Sequence, residues 1–371
     1  MRSSEVSSCN RLHVIDCMTV VTVRAGAVWR EGRTLMATIK DVAQAANVST
    51  ASVSRVLSGH PSSSEAMRKR VLAAAADLNF RPNAVARSLR TTGTRTVGLV
   101  VSDLLNPFFT ELARAVEDTA RAAGFSVIVG NADEDPTQQD HYVRILLERQ
   151  VDGLIVVPTV ETSPLLREAA EQGHPLVLVD RPAADVHAPI VMADGSAAIH
   201  DLVDHLVATG RRRLAIVTGP DQAGTSRERL VAFRAALAGH GFDLPDAFVV
   251  HGDFRAGSGH DALASLLALP DVPDAVFVAN GPMALGALQL LSEHQGSSRV
   301  RIPNDLALAV FDDMPWFTLL RPTLTAIAQP TSLLGERAMQ MLLDRIGGKD
   351  VEDERIACRL ELRESTQRRN S

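Results

Sequence analysis

From Thr96 onward one pattern recurs: a short run of aliphatic and β-branched residues, a stretch with helical spacing, then another run. A first series reads TVGLVV (96–101), FSVIVG (125–130), DGLIVV (152–157), PLVLVD (175–180) and PIVMAD (189–194). A second reads LAIVTG (214–219), FVVHG (248–252), DAVFVAN (274–280) and LALAVFD (306–312). Apolar strands separated by amphipathic helices mean βαβ crossovers and parallel sheets covered on both faces. Two such series predict two similar lobes. Open parallel sheets bind ligands outside the carboxyl ends of their strands. The candidate site residues are therefore those just past each run: Ser102 to Phe109, Asp180-Arg181, Gly219-Pro220, Gly252-Asp253-Phe254, Asn280 and Asp312-Asp313.

The chain before Thr96 is different. In TIKDVAQAANVSTASVSRVL (38–57), Ile39, Val42, Ala43 and Ala46 recur at the spacing of one buried helix face. Asn47-Val48-Ser49 breaks the period, and Ser49 is suited to cap a second helix. That helix puts Val53, Val56 and Leu57 on one side, leaving Thr50, Ala51, Ser54 and Arg55 on the other. Ser62-x-x-Glu65 has capping-box spacing for a third helix carrying Met67, Val71, Ala75 and Leu78. Three short helices with a tight first turn form a helix-turn-helix. The small, polar second helix can enter a major groove and offer a guanidinium to base edges. A small helical bundle with a solvated face would show the same periodicity, and charge separates the two readings. Met36 to Arg95 holds nine basic and three acidic residues, a net +6; residues 1–35 hold five and three, +2; the formal total of −6 leaves −14 beyond Arg95. A basic head on an acidic body implies that only the head meets a polyanion. After it, RPNAVARSLR (81–90) can place Ala84, Val85, Ala86 and Leu89 on one helical face. So short a helix is unstable alone in water and needs a partner, a second copy or DNA.

Other classes find little support. Cys9, Cys17 and Cys358 form no CxxC and no metal spacing, nor do the eleven histidines, so no metal or disulfide is expected and a reducing cytoplasm is the default. Residues 1–35 are apolar in places but broken by Asp16 and Arg24 and lack a signal-peptide layout; they read as a disordered extension, or translation begins at Met36. No run reaches transmembrane length. GPDQAGTS (219–226) nearly spells a phosphate loop but lacks its lysine, and AGSGH (256–260) lacks the first glycine of a nucleophile elbow. No dinucleotide fingerprint and no HExxH occur, so neither an enzyme nor a cofactor is expected. A free solute-binding protein would fit the body, but not the basic head.

The whole of Met36 to about Arg369 resembles the lactose/galactose-repressor (LacI/GalR) family of transcription regulators. TIKDVAQAANVSTASVSRVL, RPNAVARSLR, NPFFTELARAVEDTARAAGF, VDGLIVVP, VLVDRP, VANGPMALGAL and RPTLTAIAQP stand in the family's order and spacing. The resemblance implies an all-α helix-turn-helix head (36–80), a hinge helix and linker (81–95) and a two-lobed, periplasmic-binding-protein-like α/β body (96–371). It implies a homodimeric repressor on palindromic operator DNA, with a sugar or polyol effector between the lobes. Thr50, Ala51 and Arg55 match base-reading positions; Asn83, Ala86 and Leu89 match hinge positions on DNA, Leu89 as a minor-groove wedge. Phe108, Phe109 and Phe254 match ligand-lining positions, and Arg227, Asn280 and Asp312 match residues that hydrogen-bond sugar hydroxyls. Asp180 with Arg181 joins them or forms an internal salt bridge, and Asp103 and Asn106 are alternatively helix caps. Two departures stand out: Gly281-Pro282 where an acidic residue is common, and Val310 where glycine is usual. A purine-specific member would carry an arginine near Ala223, so a pentose, hexose or related polyol is the better expectation.

Overall fold

The computed structural model describes residues 37–57, 63–80, 93–159, 163–293 and 300–367. The chain divides into two units, Met1–Asn83 and Ala84–Ser371.

In the first unit, α1 (Ile39–Ala46), α2 (Thr50–Leu57) and α3 (Glu65–Asp77) enclose Val42, Ala46, Val53, Val56, Val71 and Ala75. Asp41 reaches back to accept from the Thr38 backbone N–H and hydroxyl, each at 2.7 Å, which closes the start of α1. Asn47 ends α1 in left-handed backbone (φ 49°), a conformation asparagine tolerates well. Ser49 caps α2 as expected, its hydroxyl accepting from Ser52 N–H at 3.1 Å. The start of α3 differs from the sequence reading. Ser64 is the cap, accepting from Met67 N–H at 3.3 Å, and Glu65 is the first helical residue. Ser62 lies outside the described residues.

In the second unit, β1 (Thr96–Val101), β2 (Ser126–Asn131), β3 (Gly153–Val156), β4 (Leu176–Val179) and β5 (Ile190–Asp194) form a parallel sheet in the order β2-β1-β3-β4-β5. The second series builds β6 (Leu214–Thr218), β7 (Val249–His251), β8 (Ala275–Val278) and β9 (Ala307–Phe311), and β10 (Thr325–Ala328) joins them in the same order, β7-β6-β8-β9-β10. Both sheets are thus doubly wound, with a switch point beside the first strand of each lobe. In lobe one, α4 (Pro107–Ala122) and α11 (Thr331–Ile346) cover one face, and α5 (Pro136–Glu148) and α6 (Pro164–Glu171) the other. In lobe two, α7 (Ser196–Ala208) and α8 (Gly224–Gly239) oppose α9 (Ala256–Leu267) and α10 (Gly281–Glu293).

Three strands fall outside both sequence series: β10 and two that follow α11. β11 (Glu354–Ala357) adds in parallel beside β5, and β12 (Arg359–Glu361) adds antiparallel beside β10. The chain therefore passes between lobes after β5, after β10, and at Cys358 between β11 and β12. These passages set the two rows of carboxyl strand ends facing one another. Among the described residues, no helix is long and apolar enough to cross a membrane.

Candidate functional site

On α2 the exposed and buried residues separate cleanly. Val53 and Val56 face the core of the first unit, while Thr50, Ala51 and Arg55 are exposed. Ala51 and Arg55 stand one turn apart, so their side chains lie on the same face. A helix with small residues flanking one arginine offers groove-depth access to that guanidinium. Asn83, Ala86 and Leu89 lie outside the described residues.

The second candidate site is a cavity between the lobes of the body. Phe108, Phe109, Asp180, Phe254, Asn280 and Asp312 all line it, so six of the seven expected positions converge there. Phe108 and Phe109 meet edge to face, with centroids 5.0 Å apart; they border the cavity and also belong to the core of lobe one. Asn106 caps α4 by accepting from Phe108 N–H, and Asp103 accepts from Leu105 N–H in the preceding turn. Both also border the cavity. Asn280 donates to the Phe254 carbonyl at 3.0 Å and accepts from Met283 N–H at 2.9 Å. It therefore holds Phe254 in place while capping α10.

Three of these residues, Asp180 (φ 72°), Phe254 (φ 67°) and Asp312 (φ 81°), adopt left-handed backbone where their strands end. For a residue with a Cβ that conformation costs on the order of 1–3 kcal/mol, and it persists where surrounding contacts over-determine it. Gly219 shows how tightly Phe254 is held: a Cβ there would stand 2.1 Å from the phenyl ring. Asp312 is buried and accepts from Gly281 N–H at 3.1 Å and Gln329 Nε2 at 2.6 Å. Burial raises its pKa above the ordinary 3.8, and the nearby Arg229 opposes that rise. At Gly281 a Cβ would meet the terminal methyl of Met314 at 2.1 Å, the movable end of a flexible side chain. Val310 is fully buried inside β9.

Arg227 is the exception. Its guanidinium turns away from the cavity and donates to the Asp221 and Gln222 carbonyls at 3.1 and 2.9 Å. Arg229 lines the cavity instead, donating to the Ala279 carbonyl at 2.6 Å and lying 3.7 Å over the Phe311 ring. Residues two apart on an α-helix differ by about 200° in direction, so Arg229 on α8 faces the cavity and Arg227 faces away from it. The sequence reading also missed Glu134 and Gln329 in the lining. Asp180-Arg181 does form an internal ion pair, Nε to carboxylate at 3.3 Å, and both residues border the cavity as well. Burial alone would lower the Arg181 pKa, but Glu134 and then Asp180 outweigh it and keep the group charged.

Contacts also tie the lobes across the mouth. Arg255, before α9, donates to the Asp133 carbonyl (3.1 Å) and carboxylate (3.2 Å), after β2. Behind it, the Arg181 guanidinium of lobe one sits 5.7 Å from the centre of the Phe254 ring of lobe two. At another point, Arg355 on β11 pairs with Glu228 on α8 at 2.9 Å. Fixed acceptors, aromatic faces and a guanidinium between two hinged lobes suit capture of a small polyhydroxylated molecule. Among the described residues, no group of three or more metal-ligating side chains is poised to hold an ion.

Residues 38–83 match the family of bacterial regulatory proteins, lacI family, and residues 94–364 match the periplasmic binding proteins and sugar binding domain of the LacI family. The ribose operon repressor of Escherichia coli (strain K12) is 36% identical over 324 residues, covering 86% of this chain and 96% of that protein. Catabolite control protein A of Priestia megaterium is 34% identical over 333 residues, covering 89% and 99%. The crystal structure of the lac repressor dimer bound to operator and the anti-inducer ONPF is similar with a TM-score of 0.79 and 29% identity, covering 90% of this chain and 99% of that one. With a helix-turn-helix unit, a two-lobed body and matches along both, the chain belongs to the LacI family of bacterial regulatory proteins, DNA-binding transcriptional regulators that carry an effector-binding domain.

Proposed function

We propose that this regulator is a homodimeric repressor that reads a palindromic operator and releases or gains it in response to a sugar or related polyol. The convergence of Phe108, Phe109, Asp180, Phe254, Asn280 and Asp312 from both lobes on one cavity carries the reading. A carboxylate accepts from two hydroxyls, a guanidinium donates several bonds in a fixed fork, and aromatic faces cover the C–H surface of a sugar ring. The cavity is assigned to binding and not to catalysis. A purine is disfavoured, because the position near which a purine-specific member would carry an arginine is the buried Ala223. Thr50, Ala51 and Arg55 are assigned to base edges, with the hinge positions Asn83, Ala86 and Leu89 completing the DNA contacts. A dimer is supported by an apolar strip on lobe one, where Leu104, Leu105, Ile128 and Val129 are exposed beside the edge strand β2. An uncovered edge of this kind favours a second copy over solvent. A thermal-shift screen of pentoses, hexoses, polyols and nucleobases tests the effector, because a ligand that binds only the folded state raises stability by mass action. The reading requires a stabilising sugar whose effect vanishes in Asp312→Ala. A nucleobase with that behaviour would replace it.

A further inference from the structure

Five carboxylates line the cavity, Asp103, Glu134, Asp180, Asp253 and Asp312, against three arginines, Arg181, Arg229 and Arg255. Every one of those arginines is already engaged by the protein. Arg255 reaches outward to Asp133, and Arg229 lies on Phe311 while donating to Ala279. Arg181 is held hardest. Glu134 takes both of its outer nitrogens, at 2.7 and 3.1 Å, in the fork that matches a carboxylate or a phosphate. Ser102 Oγ lies 3.3 Å from Nη2, and the Asp180 carboxylate 3.3 Å from Nε. The Arg181 side chain is 5% exposed and that of Glu134 18%, so Glu134 is the partner that stands nearer the opening.

We propose that Glu134 determines the charge of the effector: by claiming the Arg181 fork it restricts the cavity to uncharged hydroxyl-bearing molecules and rejects their phosphate esters. A phosphate entering the cavity meets an excess of carboxylates, and the Arg181 fork is closed to it by Glu134. Displacing Glu134 would leave a second anion unpaired beside the first, in surroundings too dry to screen either. Removing the Glu134 charge reverses the situation, because the outer nitrogens of the buried Arg181 then lack a charged acceptor and Asp180 remains only at Nε. The inference rests on the cavity being the effector site.

The experiment compares full-length wild type, Glu134→Gln and the double variant Glu134→Gln/Arg181→Met. Melting temperature and calorimetric affinity are measured with inorganic phosphate, with free pentoses and hexoses, and with their phosphate esters, at matched ionic strength. Wild type is expected to ignore inorganic phosphate and the esters. Glu134→Gln is expected to gain at least about tenfold in affinity for them, the scale of a charge-assisted hydrogen bond, and the double variant to lose that gain. A pair that merely braces the fold predicts lower melting in Glu134→Gln and no gain, and that result would overturn the proposal. So would a wild type that already binds the esters. If Glu134→Gln does not fold, Glu134→Ala takes its place, and the wild-type measurement stands on its own. The underlying reading fails separately: a sugar that stabilises wild type and Asp312→Ala alike places the effector elsewhere. Ester binding by wild type that Asp312→Ala abolishes keeps the cavity and removes the role of Glu134.

Discussion

Asp312 combines left-handed backbone, burial and two backbone-anchored or side-chain donors, Gly281 N–H and Gln329 Nε2. Replacing it by alanine should remove charge-assisted bonds to the effector, roughly 1.5–3 kcal/mol each, while operator binding without effector is unchanged; calorimetry and a gel-shift assay read the two. Its raised pKa adds a pH dependence, driven first by burial and opposed by Arg229. The folded protein binds this proton more tightly than the unfolded chain, so this group alone favours folding more as pH falls through its folded pKa. Effector affinity moves the other way, because protonation removes an acceptor. Titrating affinity downward from neutral should show a loss that begins above the ordinary 3.8 in wild type and is absent from the residual binding of Asp312→Ala. The two arginines of α8 give a sharper contrast. Arg229→Ala should abolish the effector response, and Arg227→Ala should leave affinity within about twofold, since its bonds are to local carbonyls of the kind worth little in solvent. Equal losses in both would mean that the helix face, and not the side chain, controls the pocket.

The helix α2 carries the DNA prediction at the scale of an element. Arg55→Ala should weaken operator binding by about 1–3 kcal/mol and relax preference at one base pair, measured against a set of single-substitution operators. Equal weakening on every sequence would reduce Arg55 to a phosphate contact. Why α2 and the main strands were readable while other pieces were not has a physical basis. β3, β4 and β9 are buried at every residue, so each announces itself as an uninterrupted apolar run. β11 alternates exposed and half-buried, and β12 is Arg-Leu-Glu; an edge strand covered on one side needs no such run. Their pairing is set by where the chain returns after α11, which no local spacing encodes. The site shows the same division. A parallel sheet places its carboxyl strand ends together, and Phe254, Asn280 and Asp312 follow from that alone. Glu134 and Gln329 obey the same rule, three residues past β2 and one past β10, but the sequence reading passes over the turn after β2, and the short β10, TAIA, does not stand out as a strand run. The resemblance points to Arg227, whereas Arg229, two residues on, is the arginine that lines the cavity, a separation that helix geometry turns to the opposite face.

At the scale of the whole molecule, the opposite charges of head and body predict that a polyanion binds the basic N-terminal segment and not the acidic body. Operator affinity should therefore fall steeply with salt, with a logarithmic slope of about −0.9 for each phosphate neutralised, whereas affinity for an uncharged effector should hardly move. Deleting residues 1–34 is expected to leave both operator affinity and melting temperature unchanged; a large drop in either would show that the segment packs on the rest. The order in which the body is synthesised has a further consequence. β5 is complete at Asp194, yet its outer neighbour in the first sheet begins only at Glu354. The same late segment supplies β12 to the second sheet and buries Ser365 and Thr366 against Thr325. At roughly 5–20 residues per second, a ribosome needs on the order of 10–30 s to make the intervening chain. Through that interval the nascent first lobe presents β5 as an open, apolar parallel edge, and neither lobe can close until the same few residues emerge. The two halves of the receptor are thus finished together, and a ribosome stalled before codon 354 would hold a chain with two sticky edges instead of one folded lobe.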